Sequence, residues 1–340
     1  MAYEWTSPFP AVPFTLTEPG GAPRLGSYHG SFADVDLRPR LGGGIAGRLK
    51  TLLKLKRWQW VGIGTPEVFI GLAVVDAGIA GNAFCFAVDL KTGRMLEDRS
   101  RLGLVRLNDK PGEGADARFT QPGHRLRLTR APGSPCYQVE VHSGALHLEA
   151  LLDASLAPDP LAVLMTVRDG DLDATQKTNL MPVSGTLKVG ARTWDLGQGF
   201  AGIDYTHGLF ARRTAWQWAF GMGRAQDATP IGVNLTRGIS DQTGENVVWV
   251  GREIVPVGPA QFVWDAKHLE APWRVTTDDG SVDLRFTPMG VHRENRDLIV
   301  IQSHFAQIGG VFAGTVRDSR GATYTVDALP GVAEDQRVLW

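Results

Sequence analysis

The chain has 340 residues, 43% of them hydrophobic and 21% charged, with a formal net charge of −1. That length holds one large domain or two medium ones, and the composition is ordinary for a soluble globular protein. The near-neutral balance speaks against a dedicated nucleic-acid binder, whose surface is clearly basic.

The N-terminal stretch MAYEWTSPFPAVPFTLTEPG lacks a basic n-region and an apolar h-region, so no signal peptide is expected. No uninterrupted apolar run reaches the roughly 18–20 residues of a membrane span. Cys85 and Cys136 are the only cysteines and form no C-x-x-C pair. This suits a reducing cytoplasm and leaves a single disulfide open.

The first distinctive element is GGGIAGRLKTLLKLKR (42–57). It predicts a short amphipathic helix near 45–56, with Ile45, Leu49, Leu52 and Leu53 on one face and Arg48, Lys50, Lys54 and Lys56 mostly elsewhere. Two readings stand: a surface helix packed on a barrel, or a basic element that touches a membrane or an acidic partner. Short strands follow, enriched in β-branched and aromatic residues. They include Val68–Val75, Ala83–Leu90, Arg125–Thr129, Tyr137–His142, Leu146–Leu152, Leu161–Val167, Val247–Val250, Arg274–Thr277, Leu298–Ser303 and Tyr324–Asp327. Turn signals such as KTG (91–93) and DDG (278–280) separate them. No βαβ rhythm appears, so the sheets should be antiparallel.

The chain repeats itself. WQWVGIG (58–64) returns as WQWAFGMG (216–223), and Ile70-Gly71-Leu72 returns as Ile231-Gly232-Val233. Upstream, Phe32–Asp36 (FADVD) matches Phe200–Asp204 (FAGID). Gly185–Lys188 (GTLK) is echoed by Gly314–Arg317 (GTVR), and Gly331–Asp335 (GVAED) echoes FAGID once more. A period this long means two related domains. The expectation is all-β: two antiparallel barrels from an internal duplication, residues 1–200 and 201–340. Each barrel is wide enough at its mouth for one small ligand.

The runs GIDYTHGLFARRTAWQWAFGMG (202–223), IGVNLTRG (231–238), ENVVWVG (245–251), RWQWVGIGTPEVFIGLAVVDAG (57–78) and LPGVAEDQRVLW (329–340) resemble a bacterial family known as domain of unknown function 2804. More distantly, the pattern is similar to the carotenoid 1,2-hydratase and tocopherol cyclase superfamily. That resemblance implies paired lipocalin-like barrels with a ligand pocket at or between their mouths. It also implies an acidic residue that protonates an isoprenoid double bond, at the position of Asp204.

Asp204, Tyr205, His207, Arg212, Arg213, Trp216 and Trp218 fall within one short run. A carboxylic acid among tryptophans has a raised pKa and can donate a proton near neutral pH. Aromatic faces stabilise a carbocation by about 0.5–2 kcal/mol each. Asp204 is thus the candidate donor, His207 its orienter or partner base, and Trp216 and Trp218 a cation-stabilising wall. On a strand the two tryptophans share a face and Gln217 takes the other. The blander reading makes the tryptophans core pillars and Asp204 a tie for loop amides. Tyr205, Arg212, Arg213, Asn246, His304 and Glu334 complete the ligand-binding candidates. Glu245 reads as a turn cap beside Asn246, and His292–Glu294 reads as a solvated charged loop. No metal-ligand spacing, P-loop, dinucleotide fingerprint or G-x-S-x-G elbow occurs, so no metal and no cofactor is expected. The function expected is a cofactor-independent hydratase, isomerase or cyclase acting on a hydrophobic, isoprenoid-like molecule. The alternatives are a lipid carrier without catalysis, or an interaction protein that uses the 42–57 helix.

Overall fold

The computed structural model describes residues 7–168, 171–240, 244–297 and 302–340. Among them, strands dominate. In Cys136–Ser143 and Leu146–Asp153 alternate side chains are buried, as in a strand with one face on a core. Residues 298–301 of the expected strand Leu298–Ser303 lie outside the described residues; its last two begin the strand Gln302–Arg317.

The strands form two antiparallel sheets, of 14 and nine strands among the described residues. Both are built around the same unit. In the first, the WQW strand Leu55–Gly64 lies between Val68–Asp76 and Phe200–Leu209, and Phe200–Leu209 pairs onward with Leu172–Val189. In the second, the WQW strand Arg213–Arg224 lies between Pro230–Arg237 and Thr323–Leu339, which pairs onward with Gln302–Arg317. Each sheet curls into a near-barrel, and the whole is a double lipocalin-like fold.

This arrangement corrects two expectations. The strand Phe200–Leu209 is the last of the first sheet, so the sheets divide after Leu209 and not at 200. The structural counterpart of FAGID is Pro330–Glu334, one residue ahead of the GVAED echo, in the last strand of the second sheet. Residues 32–36 form no strand, so FADVD is not part of the repeat. In each lobe the repeated unit runs from the WQW strand to the acid-bearing strand; in the first lobe Gly26–His29 precedes it and pairs with Leu161–Thr166.

Three large apolar clusters make up most of the core among the described residues. One fills the first lobe, with Val61, Ile63, Leu72, Phe119, Val141 and Leu187. Another fills the second, with Ile231, Val233, Phe262, Leu284, Ile308 and Phe312. The third lies between the lobes and contains Trp60, Phe86, Trp216, Trp218, Phe220 and Val332. Burial on both faces explains why Phe200–Leu209 is buried at every position.

The amphipathic helix spans Gly44–Lys54 and passes directly into the first WQW strand. Its buried residue is Gly47. A Cβ there would lie 2.0 Å from the Gly42 carbonyl oxygen, so only glycine lets the incoming loop cross so closely. The leucine face points outward: Ile45 is 88% exposed, Leu49 55% and Leu53 52%. The packed orientation expected from the sequence is therefore reversed. Among the described residues no helix is long and apolar enough to cross a membrane.

Candidate functional site

The two WQW strands face each other across the lobe boundary. Period-two alternation sends Trp58 and Trp60 to one face of their strand, and Trp216 and Trp218 to one face of theirs. Trp58 stacks on Trp216, with centroids 5.9 Å apart and planes 14° apart. Trp60 meets Trp218 edge-on at 4.9 Å and 82°. Gln217 leaves the opposite face and donates to Asp335 Oδ1 at 2.9 Å. The repeated tryptophans therefore form a wall between the lobes. They line a cavity of about 160 Å³ together with Ala73, Val75, Phe84, Phe305 and Trp340.

Two carboxyls enter this cavity from equivalent strand positions. Asp204 lies opposite Trp60, and Glu334 lies opposite Trp218. The first tryptophan of each phrase donates to the acid of its own lobe. Trp58 Nε1–H donates to Asp204 Oδ2 at 2.8 Å, and Trp216 Nε1–H donates to Glu334 Oε1 at 2.7 Å. One strand further on, Lys177 pairs with Asp204 where Gln307 pairs with Glu334. Lys177 Nζ is ion-paired to Asp204 Oδ1 and lies 3.3 Å from Glu245 Oε2. Gln307 Nε2–H donates to Glu334 Oε2 at 2.7 Å, while its oxygen accepts from Trp60 Nε1–H at 2.8 Å.

The charges follow from these partners. Burial pushes the Glu334 carboxyl up to about 7, against the hydrogen bonds from Gln307 and Trp216 that favour its ionised form. Burial disfavours the charge on Lys177, but Asp204 and Glu245 outweigh it and hold the ammonium above the usual lysine range. Burial raises Glu245 despite Lys177. Asp173 is raised well above the usual carboxyl range, by burial first and the charge of Glu245 second. Among the described residues both its oxygens, and Oε1 of Glu245, lack a hydrogen-bond partner although they are buried at the cavity wall. At another edge, Asn82 Nδ2–H donates to Glu294. Behind Glu294, His292 is stacked on Phe84 and lies 2.6 Å from Asp98 and 3.3 Å from Glu294. Burial opposes its charge, but Asp98 and Glu294 raise it to about 9. The run 292–294 is therefore a strand clamped between the lobes and not a solvated loop.

Of the residues expected at the site, Asp204, Trp216, Trp218 and Glu334 line the cavity. The others do not. Tyr205 and His207 leave their strand on the face opposite Asp204. Tyr205 packs with Phe32, Val35 and Leu164. His207 Nε2 accepts from the Leu37 N–H at 3.3 Å, and its Nδ1 lies 3.4 Å from Asp109. Burial lowers its pKa, and it cannot orient Asp204. Arg212 and Arg213 are exposed at the start of their strand, and Arg212 Nη1–H donates to the Trp340 carbonyl at 2.5 Å. Asn246 is buried and accepts from the Thr236 N–H at 2.7 Å; its neighbour Glu245, read as a cap, takes the cavity position instead. His304 is exposed, and the adjacent Phe305 faces the cavity.

The sequence reading missed Lys177, Gln307 and Asp173. A signal existed for the first two. Following the GTLK and GTVR echo upstream reaches Lys177 in one copy and Gln307 in the other. A bulge between Thr178 and Met181, where Leu180 has φ 57°, offsets the two by one residue. Among the described residues no group of three His, Cys, Asp or Glu side chains is placed to hold a metal ion.

Comparison with known proteins agrees with this architecture. The sequence profile of the family described as "Domain of unknown function (DUF2804)" matches residues 16–340, and the chain belongs to that family. No curated protein matches the sequence significantly. Among solved structures, kievitone hydratase from Nectria haematococca is similar over 93% of this chain and 98% of its own, with 11% identity and a TM-score of 0.52. CghA in complex with Sch210972 is similar over 84% of this chain and 88% of its own, with 8% identity and a TM-score of 0.48. At 11% identity the likeness to the hydratase is one of fold.

Proposed function

We propose that this member of the family is an acid–base enzyme of the hydratase, isomerase or cyclase type, acting without a cofactor on a largely apolar, isoprenoid-like molecule between the lobes. The observation that carries the reading is Glu334: a buried carboxyl with a pKa of about 7, facing an aromatic wall. Such a group is protonated in a large fraction near neutral pH and can give its proton to a reacting carbon. The donor role expected of Asp204 passes to Glu334, because the Lys177 ammonium already occupies the Asp204 carboxylate.

In the proposed reaction Glu334 transfers its proton to one carbon of a C=C bond. The π electrons form the new C–H bond, and a cation is left on the neighbouring carbon. The faces of Trp58, Trp60, Trp216 and Trp218 and the carboxylate left on Glu334 stabilise that cation. Water then attacks it in a hydration, a second double bond attacks it in a cyclisation, or an adjacent proton leaves in an isomerisation. In each case the proton released returns to Glu334. The unpaired oxygens of Asp173 and Glu245 favour a ligand that carries a hydroxyl or another polar group at one end of its apolar body. The fold likeness to a protein named a hydratase supports the reading. The free cysteines Cys85 and Cys136 suit work in the cytoplasm.

The test is to identify by mass spectrometry what co-purifies with the protein, then incubate it and related olefins with the protein in D2O. We expect a carbon-bound deuterium in the product with the native protein and incorporation slowed at least about a hundredfold with Glu334→Gln, which still retains the ligand. An unaltered ligand bound tightly by both proteins overturns the proposal in favour of a carrier.

A further inference from the structure

The helix Gly44–Lys54 presents an unusual surface. It packs inward through Gly47 and Thr51, its small residues, and turns Ile45, Leu49, Leu52 and Leu53 to the outside. On a 100° wheel these four fall within about one quadrant to one third of the circumference, and Arg48 and Lys50 flank them on either side. The helix has no acidic residue. Lys54 is paired with Asp171 at 2.9 Å, whereas Arg48 and Lys50 have no acidic partner among the described residues.

The apolar surface continues beyond the helix. Its last turn lies against the turn 77–80: a Cβ on Gly78 would fall 2.1 Å from the Leu52 carbonyl oxygen. Lys56 Nζ–H ties the two together, donating to the carbonyls of Leu53 at 2.9 Å and Ala77 at 2.7 Å. Ala77, Ala80 and Leu102 line the cavity, and Ile79 and Leu102 are exposed as well. An exposed leucine ridge edged with cations thus runs up to the rim of the interlobe cavity.

We propose that this ridge docks on an anionic lipid surface, with the leucine face in the acyl–headgroup boundary and Arg48 and Lys50 among the headgroup phosphates. An apolar face flanked by unpaired cations is the chemistry that binds such a surface. The position of the ridge sets the cavity rim at the lipid boundary, where an apolar ligand enters without crossing bulk water. Docking is read without any substrate, so it stands or falls separately from the catalytic reading.

The experiment is flotation of the full chain with two vesicle types, phosphatidylcholine alone and phosphatidylcholine with equal phosphatidylglycerol. Light scattering in solution measures the oligomeric state in parallel. We expect flotation with the anionic vesicles only, weakened by salt. Binding should fall on the order of tenfold in Arg48→Ala/Lys50→Ala, and vanish in Ile45→Glu/Leu49→Glu/Leu53→Glu. These side chains are exposed, so an unchanged melting temperature is the control for folding. Absence of flotation, flotation unaffected by the triple substitution, or a dimer that the triple substitution splits overturns the proposal. The last result would assign the face to a second copy of the chain.

Discussion

The two lobes place a carboxyl at the same register position, give it the same tryptophan donor, and then treat it in opposite ways. In the first lobe the neighbouring strand supplies Lys177, and Asp204 sits in an ion pair. In the second it supplies Gln307, and Glu334 is left with neutral donors and a pKa near 7. The difference is one side chain on the adjacent strand. Burial among neutral donors is what lets Glu334 keep a proton to give.

The comparison is broken most directly at the two acids. Glu334→Gln should lower the rate of deuterium incorporation by about 10²–10⁴-fold, the range for loss of a general acid, with ligand binding retained. Asp204→Asn should leave a proton donor in place and cost less in rate. Equal losses would dissolve the distinction between the lobes. Next come the neighbours. Lys177→Met leaves Asp204 and Glu245 buried without a cation and should cost about 3–5 kcal/mol in urea unfolding. Gln307→Met removes only neutral hydrogen bonds and should cost about 1–3 kcal/mol.

The pH dependence sharpens the comparison further. Glu334 has a folded pKa raised above its unfolded value of 4.5. Its contribution to stability is therefore full below pH 4.5 and is lost as pH rises through about 7, together with the proton it donates. His292, raised from 6.5 to about 9, acts with the same sign at higher pH: the clamp between lobes is full below 6.5 and lost through about 9. Unfolding midpoints measured across this range should fall in two steps, and Glu334→Gln should remove the first. The smallest effect is expected at His207. His207→Asn should leave turnover unchanged, because the side chain lies on the face away from the cavity. A lost activity with an intact fold would return His207 to the site.

Much of this was legible in the sequence, and what was not has identifiable causes. The WQW repeat and the period of a strand were enough to predict that Trp216 and Trp218 share a face. The duplication itself points to the paired sheets, but in the sequence FAGID looks like the start of the second copy. A phrase at the end of one lobe and next to the WQW of the following lobe looks local when it is not. Asp204 and His207 are three residues apart, an odd step that puts side chains on opposite faces of a strand. Lys177 belongs to no motif, and only strand pairing brings it to Asp204. His292 and Glu294 look solvated within MGVHRENRD, because the carboxylate Asp98 that buries the histidine is far away in the chain. The helix was visible from its periodicity, but its orientation depended on Gly47, whose lack of a side chain makes the polar-looking side the one that packs.

The stacking of Trp58 on Trp216 has one more consequence. Each half of the chain covers the indoles of the other, as two subunits of a symmetric dimer would. Identical subunits, however, must carry the same residue at every matching place. Joining the halves in a single polypeptide lifts that restriction, so a lysine can stand on one side of the axis and a glutamine on the other. Covalent linkage, more than any single side chain, is what permits one shared chamber to have an unlike pair of walls.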